Sequence, residues 1–137
     1  MSAKVFLDTN ILLYSCSNAT KDAAKKEKAI DLILNTPLTL SSQVLQEFIS
    51  NALRKKELGI SEANIDAMLE LATHAVVQPV DLNLIIKAVT LRRRFQLSHW
   101  DSTIIAAALE LNCTTLFSEM LSHGQKFDDL EVLNPFL

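Results

Sequence analysis

The chain has 137 residues, of which 49% are hydrophobic, 2 are glycine and 3 are proline. That composition excludes a disordered or linker-rich polypeptide, and one domain spanning residues 1–137 can bury a core without disulfides or a structural metal. The formal charge of −3 excludes a global basic field directed at nucleic acid or membrane, although not a local basic surface.

Cys16 and Cys113 are too few and too far apart for a metal knuckle or a disulfide framework. They read as reduced thiols of a cytosolic protein, with Cys113 in a core strand. The N-terminus runs into a strand without a signal-peptide core, and no apolar run approaches membrane-spanning length. The expectation is a soluble, cytoplasmic domain without a membrane partner.

In chain order, Val5-Phe6-Leu7 has the length and apolar character of a buried strand, and Ile11-Leu12-Leu13 resumes with helical spacing. Between them lies Asp8-Thr9-Asn10. Asp8 stands either as an N-cap for the next helix or at the lip of the crevice that forms at strand carboxyl ends. Thr20 to Leu34 reads as a helix with Ala23, Ile30, Ile33 and Leu34 inward and lysines outward, ended by Asn35-Thr36-Pro37. Leu38 to Ser41 reads as a second strand. Ser41 or Ser42 then caps a helix with Val44, Leu45, Phe48, Ile49, Ala52 and Leu53 on its apolar side. Leu58-Gly59 breaks it, and a helix from Ser61 runs on Ile65, Met68, Leu69 and Ala72.

A brief third strand, Ala75-Val76-Val77, stops before Pro79. Asp81 caps a helix with Leu82, Ile85, Ile86, Val89 and Phe95 inside and Arg92-Arg93-Arg94 outside. Ser98 to Asp101 leads into the small-residue helix around Ile104 to Leu109. Cys113 to Ser118 is the fourth strand and Glu131-Val132-Leu133 the fifth. Strands alternating with helices predict a three-layer α/β/α sandwich with a mostly parallel sheet of about five strands.

On that scaffold four acids fall where a doubly wound sheet opens. Asp8 ends the first strand, and Glu47 lies within the helix after the second. Asp101 opens the helix before the fourth strand, and Glu119 follows that strand. Each has a bland alternative: a cap at Asp8, a solvated helix position at Glu47, a capping box Ser98-x-x-Asp101, and a polar loop residue at Glu119. Grouped carboxylates repel one another, and a divalent cation removes that penalty. Mg²⁺ prefers hard oxygen ligands and commonly joins protein carboxylates to substrate phosphate. No His/Cys set suggests zinc, and His74, His99 and His123 are scattered.

Phe6-Leu7-Asp8-Thr9-Asn10, Gln46-Glu47-Phe48, Ser98-His99-Trp100-Asp101-Ser102 and Leu116-Phe117-Ser118-Glu119 together resemble the ordered motifs of PIN domains. The resemblance covers essentially the whole chain, and its compactness resembles the toxin ribonucleases of VapC-type toxin–antitoxin pairs. Leu121-Ser122-His123-Gly124-Gln125 and Val132-Leu133-Asn134-Pro135-Phe136 resemble tail features of one branch of those toxins. The resemblance implies that Asp8, Glu47, Asp101 and Glu119 are catalytic and metal-binding, with Thr9, Asn10 and Ser118 supporting them. It implies Mg²⁺- or Mn²⁺-dependent endoribonuclease activity, with water as nucleophile and RNA as substrate. A cognate antitoxin covering the active-site groove and a homodimer are implied as partners.

One departure stands out. Related sequences commonly carry Ser/Thr-x-Asp at the end of the fourth strand, whereas Ser118-Glu119-Met120 places a soft thioether where that acid would be. Met120 therefore supports an alternative, a catalytically degenerate PIN-like domain that binds RNA or a protein without cutting. Arg92-Arg93-Arg94, Arg54-Lys55-Lys56 and Lys21, Lys25, Lys26 and Lys28 are either phosphate contacts or solvated helix faces. Trp100 is expected in the core rather than as a stacking platform. Leu12, Leu13 and Ile65 are expected to pack in the core, with partner contact as the alternative. A haloacid-dehalogenase phosphotransferase would need an acid at position 10, where the chain has Asn10. A receiver domain would need an acid after the third strand, where the chain has Gln78-Pro79.

Overall fold

The computed structural model describes residues 4–137, so the first three residues of the expected single domain lie outside the described residues. Val5–Leu7 forms β1, followed by α1 (Thr9–Cys16), a 3-10 turn (Thr20–Asp22) and α2 (Ala23–Asn35). Then come β2 (Thr39–Ser41), α3 (Ser42–Arg54), a second 3-10 turn (Lys56–Leu58), α4 (Glu62–Thr73) and β3 (Val76–Gln78). The chain closes with α5 (Leu82–Phe95), α6 (His99–Glu110), β4 (Thr115–Phe117), β5 (Lys126–Phe127) and β6 (Leu130–Leu133).

The expected three-layer α/β/α sandwich is present, but its sheet is divided. Four strands hydrogen-bond in the order β1-β4-β6-β5, and β2-β3 pair separately. All pairs are parallel except β5 with β6. β2 lies against β1 without joining its ladder. The fifth expected strand is therefore β6, and β5 is an antiparallel edge pair of two residues, too short for its alternation to register in the sequence. Phe6, Leu7, Ile11, Leu40, Phe48, Ile105, Leu116 and Val132 are wholly buried at the centre. Each such side chain contributes on the order of 1.5–3 kcal/mol relative to exposure.

Capping follows the sequence. Ser41, Ser61, Asp81 and Ser98 each accept a hydrogen bond from the backbone amide three residues on. The buried helix faces are partly different from those expected. In α2, Ala29 and Leu32 point inward while Ile30 and Leu34 are exposed. In α5, the buried stripe is Leu84-Ala88-Leu91, whereas Leu82, Ile85 and Ile86 face outward. Both helices offer two apolar stripes, and close approach through an alanine selects the one that packs. Leu53 and Leu69 are likewise exposed, while Leu12 and Ile65 are in the core as expected. Cys113 is buried but precedes β4 instead of lying in it, and burial pushes its thiol up to about 11. Both cysteines are free thiols. No helix among the described residues is long and apolar enough to cross a membrane.

Candidate active site

The register of the central ladder builds the site. Leu7 pairs with Phe117, and the Asp8 amide continues the ladder by donating to the Phe117 carbonyl at 3.1 Å. Asp8 and Ser118 thus emerge side by side at the carboxyl ends of adjacent parallel strands. The Ser118 hydroxyl donates to Asp8 Oδ2 at 2.7 Å, and the Thr9 amide donates to Asp8 Oδ1 at 2.7 Å. The cap and the crevice reading of Asp8 are therefore compatible: one oxygen caps α1 while the side chain still lines the cleft.

Thr9 carries the link to the next acid, because its hydroxyl donates to Glu47 Oε2 at 2.9 Å. The other Glu47 oxygen accepts from Gln43 Nε2 at 2.8 Å, one turn earlier on α3. Glu47 is half-buried and held at both oxygens, unlike a solvated helix residue. Asp101 enters from the first turn of α6. Ser98 accepts from the Asp101 amide at 3.1 Å, but the reciprocal half of a capping box is not formed. Among the described residues, the Asp101 carboxylate has no hydrogen-bond partner.

Asp8, Glu47 and Asp101 line one cleft of about 340 Å³, together with Thr9, Asn10, Lys55 and Met120. Burial raises the Asp8 carboxyl above its ordinary 3.8; the Ser118 and Thr9 hydrogen bonds oppose the rise, and the charges of Glu47 and Asp101 add to it. Glu47 and Asp101 therefore act electrostatically on Asp8. They are not drawn into a closed cage: no three His, Cys, Asp or Glu side chains among the described residues form a ready-made cation site. An open set of hard oxygens suits Mg²⁺, which keeps several waters and takes few protein carboxylates. The donor set fits such an ion on chemical grounds.

Glu119 stands apart from these three. Its carboxylate accepts from the Tyr14 hydroxyl at 2.5 Å and pairs with Lys25 at 2.5 Å, in a neighbouring cleft of about 220 Å³. Burial pushes the Glu119 carboxyl up, but the hydrogen bonds from Lys25 and Tyr14 outweigh it and leave it lowered. The Glu119 amide, by contrast, serves the site by donating to Asn10 Oδ1 at 3.1 Å. Asn10 Nδ2 in turn approaches Asp8 Oδ2 and Ser118 Oγ at 3.4 Å each. Met120 is 74% exposed at the rim shared by both clefts, and its amide donates to Ser118 Oγ at 3.1 Å.

The tail segments brace this turn. His123 Nδ1 accepts from the Asn134 amide at 2.9 Å, and Phe136 meets Tyr14 edge-on at 5.0 Å. Among the basic clusters, Arg94 is paired with Asp128 and Lys25 with Glu119, while Lys55 reaches the acid cleft. Gln43 was not anticipated from the sequence. Its only signal was its position one turn before Glu47, where side chains meet on a helix. Trp100, expected in the core, is 65% exposed.

This fold, with carboxylates gathered at the carboxyl ends of its strands, defines a class. The family model described as "PIN domain" matches residues 5–131, and the chain belongs to that family. Three solved structures have a similar fold. A sarcin-ricin loop cleaving toxin of Mycobacterium tuberculosis, VapC20, shares 21% identity over 85% of this chain and 92% of its own, with a TM-score of 0.68. VapBC2 from Rickettsia felis, bound to a DNA fragment from its promoter, shares 19% identity over 93% of this chain and 96% of the other, with a TM-score of 0.63. A toxin–antitoxin complex from Klebsiella pneumoniae shares 15% identity over 97% and 98% of the two chains, with a TM-score of 0.67. Comparison with curated proteins finds no match.

Proposed function

We propose that this protein is a cytoplasmic, Mg²⁺- or Mn²⁺-dependent endoribonuclease and the toxin of a toxin–antitoxin pair. The observation that carries the reading is the convergence of Asp8, Glu47 and Asp101, from three separate elements, on one cleft at the strand ends. Asp8, Glu47 and Asp101 would hold the ion. When bound, it neutralises charge on the phosphodiester and makes water a stronger nucleophile near neutral pH. Ser118, the Thr9 amide and Asn10 orient Asp8, while Thr9 and Gln43 fix Glu47. The Asp101 carboxylate, free of hydrogen bonds among the described residues, is the one best placed to respond to substrate. Lys55 supplies a positive charge at the same cleft, where an RNA phosphate would need one. The toxin assignment draws its support from the PIN membership and from the fold neighbours named above; a protein antitoxin and a second copy of the chain are the partners it implies.

The test is cleavage of single-stranded RNA by purified protein with Mg²⁺, Mn²⁺ or EDTA, alongside Asp8→Asn. Metal-dependent cleavage that disappears in Asp8→Asn is expected. Cleavage that survives Asp8→Asn identifies a contaminant or a different site. RNA binding without cleavage at any metal concentration favours the degenerate reading, to which Met120 and the pairing of Glu119 with Lys25 lend support.

A further inference from the structure

Trp100 is the sole tryptophan of the chain, and it stands largely exposed on the first turn of α6 beside Asp101. Its position is fixed from behind. The Trp100 carbonyl accepts from Gln43 Nε2 at 3.1 Å, and the same nitrogen donates to Glu47 at 2.8 Å. Gln43 is 8% exposed, and its Oε1 is a buried acceptor without a partner among the described residues. An unpaired buried acceptor is costly, and this one is the consequence of turning the amide nitrogen toward both Glu47 and the tryptophan backbone. The His99 ring meets the indole edge-on at 5.0 Å, limiting its swing.

Trp100, Gln43 and Glu47 form a wall common to two clefts. On one side is the acid cleft; on the other is a cleft of about 580 Å³ whose lining includes Gln46, Val80, Ile85 and His99. The side chains of Gln46 and His99 make no hydrogen bond among the described residues. An aromatic face with an unused amide and imidazole beside it suits a flat heteroaromatic ring with a hydrogen-bonding edge. An aliphatic protein side chain would leave both polar groups unanswered.

We infer that Trp100 is a stacking platform for one unpaired nucleobase of the RNA strand whose phosphate lies in the acid cleft, with Gln46 and His99 available to the base edge. This inference rests on the proposed nuclease reading. It makes the residue before Asp101 a determinant of which nucleotide sits next to the cleavage point, and it requires that nucleotide to be unpaired.

The sole tryptophan is its own reporter. In EDTA, where no cleavage occurs, short single-stranded RNA oligomers should quench Trp100 emission saturably. An abasic site moved along the oligomer should abolish the quench at one position. Trp100→Ala should weaken binding, read by anisotropy of labelled RNA, roughly 5- to 150-fold, the range for loss of one base–aromatic stack. Trp100→Phe should stay within about 3-fold of the native protein, since a smaller aromatic face remains. Both variants should melt near the native temperature because the side chain is largely outside the core. RNA that binds by anisotropy without changing Trp100 emission overturns the platform and leaves the nuclease reading standing. Absence of RNA binding both in EDTA and with Mg²⁺ overturns both. Emission that shifts with protein concentration alone assigns Trp100 to a contact between copies and overturns the platform.

Discussion

Replacing Ser118 with alanine isolates the contact that orients Asp8. Ser118 is wholly buried, its hydroxyl donates to Asp8 at 2.7 Å, and its oxygen accepts from the Met120 amide at 3.1 Å. A hydrogen bond to a charged group contributes about 1.5–3 kcal/mol, against about 0.5–1.5 for a neutral one. The expected loss with Asp8 ionised, tested at pH 7, is therefore about 2 kcal/mol, or about 7 °C for a chain of this length. The loss should depend on pH. Asp8 has a raised carboxyl value, so its ionisation lowers stability as pH climbs from the ordinary 3.8 through the native value. The Ser118 bond opposes that rise because it favours the charged form. Its removal should cost most when Asp8 is ionised and shrink toward the neutral-bond value near about pH 4 and below. Urea unfolding of both proteins in EDTA at the two pH values measures this. An equal loss at both, or a loss below about 0.5 kcal/mol at pH 7, would refute the claim that the hydroxyl supports a buried charge.

Three further substitutions separate the roles of the remaining groups. Asp101→Asn should abolish metal-dependent RNA cleavage while shifting the melting temperature little, because Ser98 caps α6 through the backbone amide of residue 101. Glu119→Gln should retain most cleavage and cost less than about 1 kcal/mol, since Lys25 is partly exposed and solvent screens the pair; complete loss of cleavage with an unchanged melting curve would place Glu119 among the ligands. Met120→Asp should fold, given the exposure of Met120, and should lower stability in EDTA through repulsion from the neighbouring acids. Added Mn²⁺ should reverse that deficit, and an Mn²⁺ titration followed by thermal melting distinguishes this from a site the new carboxylate does not reach.

Elements with a strong local cause were legible in the sequence. Ser41, Ser61, Asp81 and Ser98 announce helix starts through side-chain chemistry that needs no tertiary partner, and all four do cap. Asp8, Glu47 and Asp101 were legible as a candidate group because all three fall where a doubly wound sheet opens, although each alone has a bland use. What was illegible depends on packing. Nothing local says whether α5 buries Leu84-Ala88-Leu91 or the stripe through Leu82, Ile85 and Ile86. Nor does the neighbourhood of Trp100 reveal its exposure, since a tryptophan beside an alanine-rich helix has the composition of a core residue. Glu119 shows the limit most directly. Its backbone lies at the site, but Lys25 and Tyr14, far away in sequence, decide where its carboxylate points.

The divided sheet has a mechanical consequence. Asp8 rides on the β1-β4 ladder, whereas Glu47 follows β2, which touches β1 without sharing its hydrogen bonds. Gln43 ties Glu47 to the turn that bears Asp101, as Thr9 ties it to Asp8. The mouth of the site therefore straddles a seam in the backbone. Along that seam, the Thr9–Glu47 hydrogen bond and side-chain packing set the gap between opposing carboxylates. A fault line of this kind yields to force more readily than a continuous ladder, whose hydrogen bonds must break together. Parting the two halves would widen the mouth but would also expose the core they share, to which Leu40 and Phe48 contribute from one side and Phe6 and Leu7 from the other. The same sheet that fixes Asp8 against Ser118 thus leaves the jaw opposite it to be closed by whatever lies between.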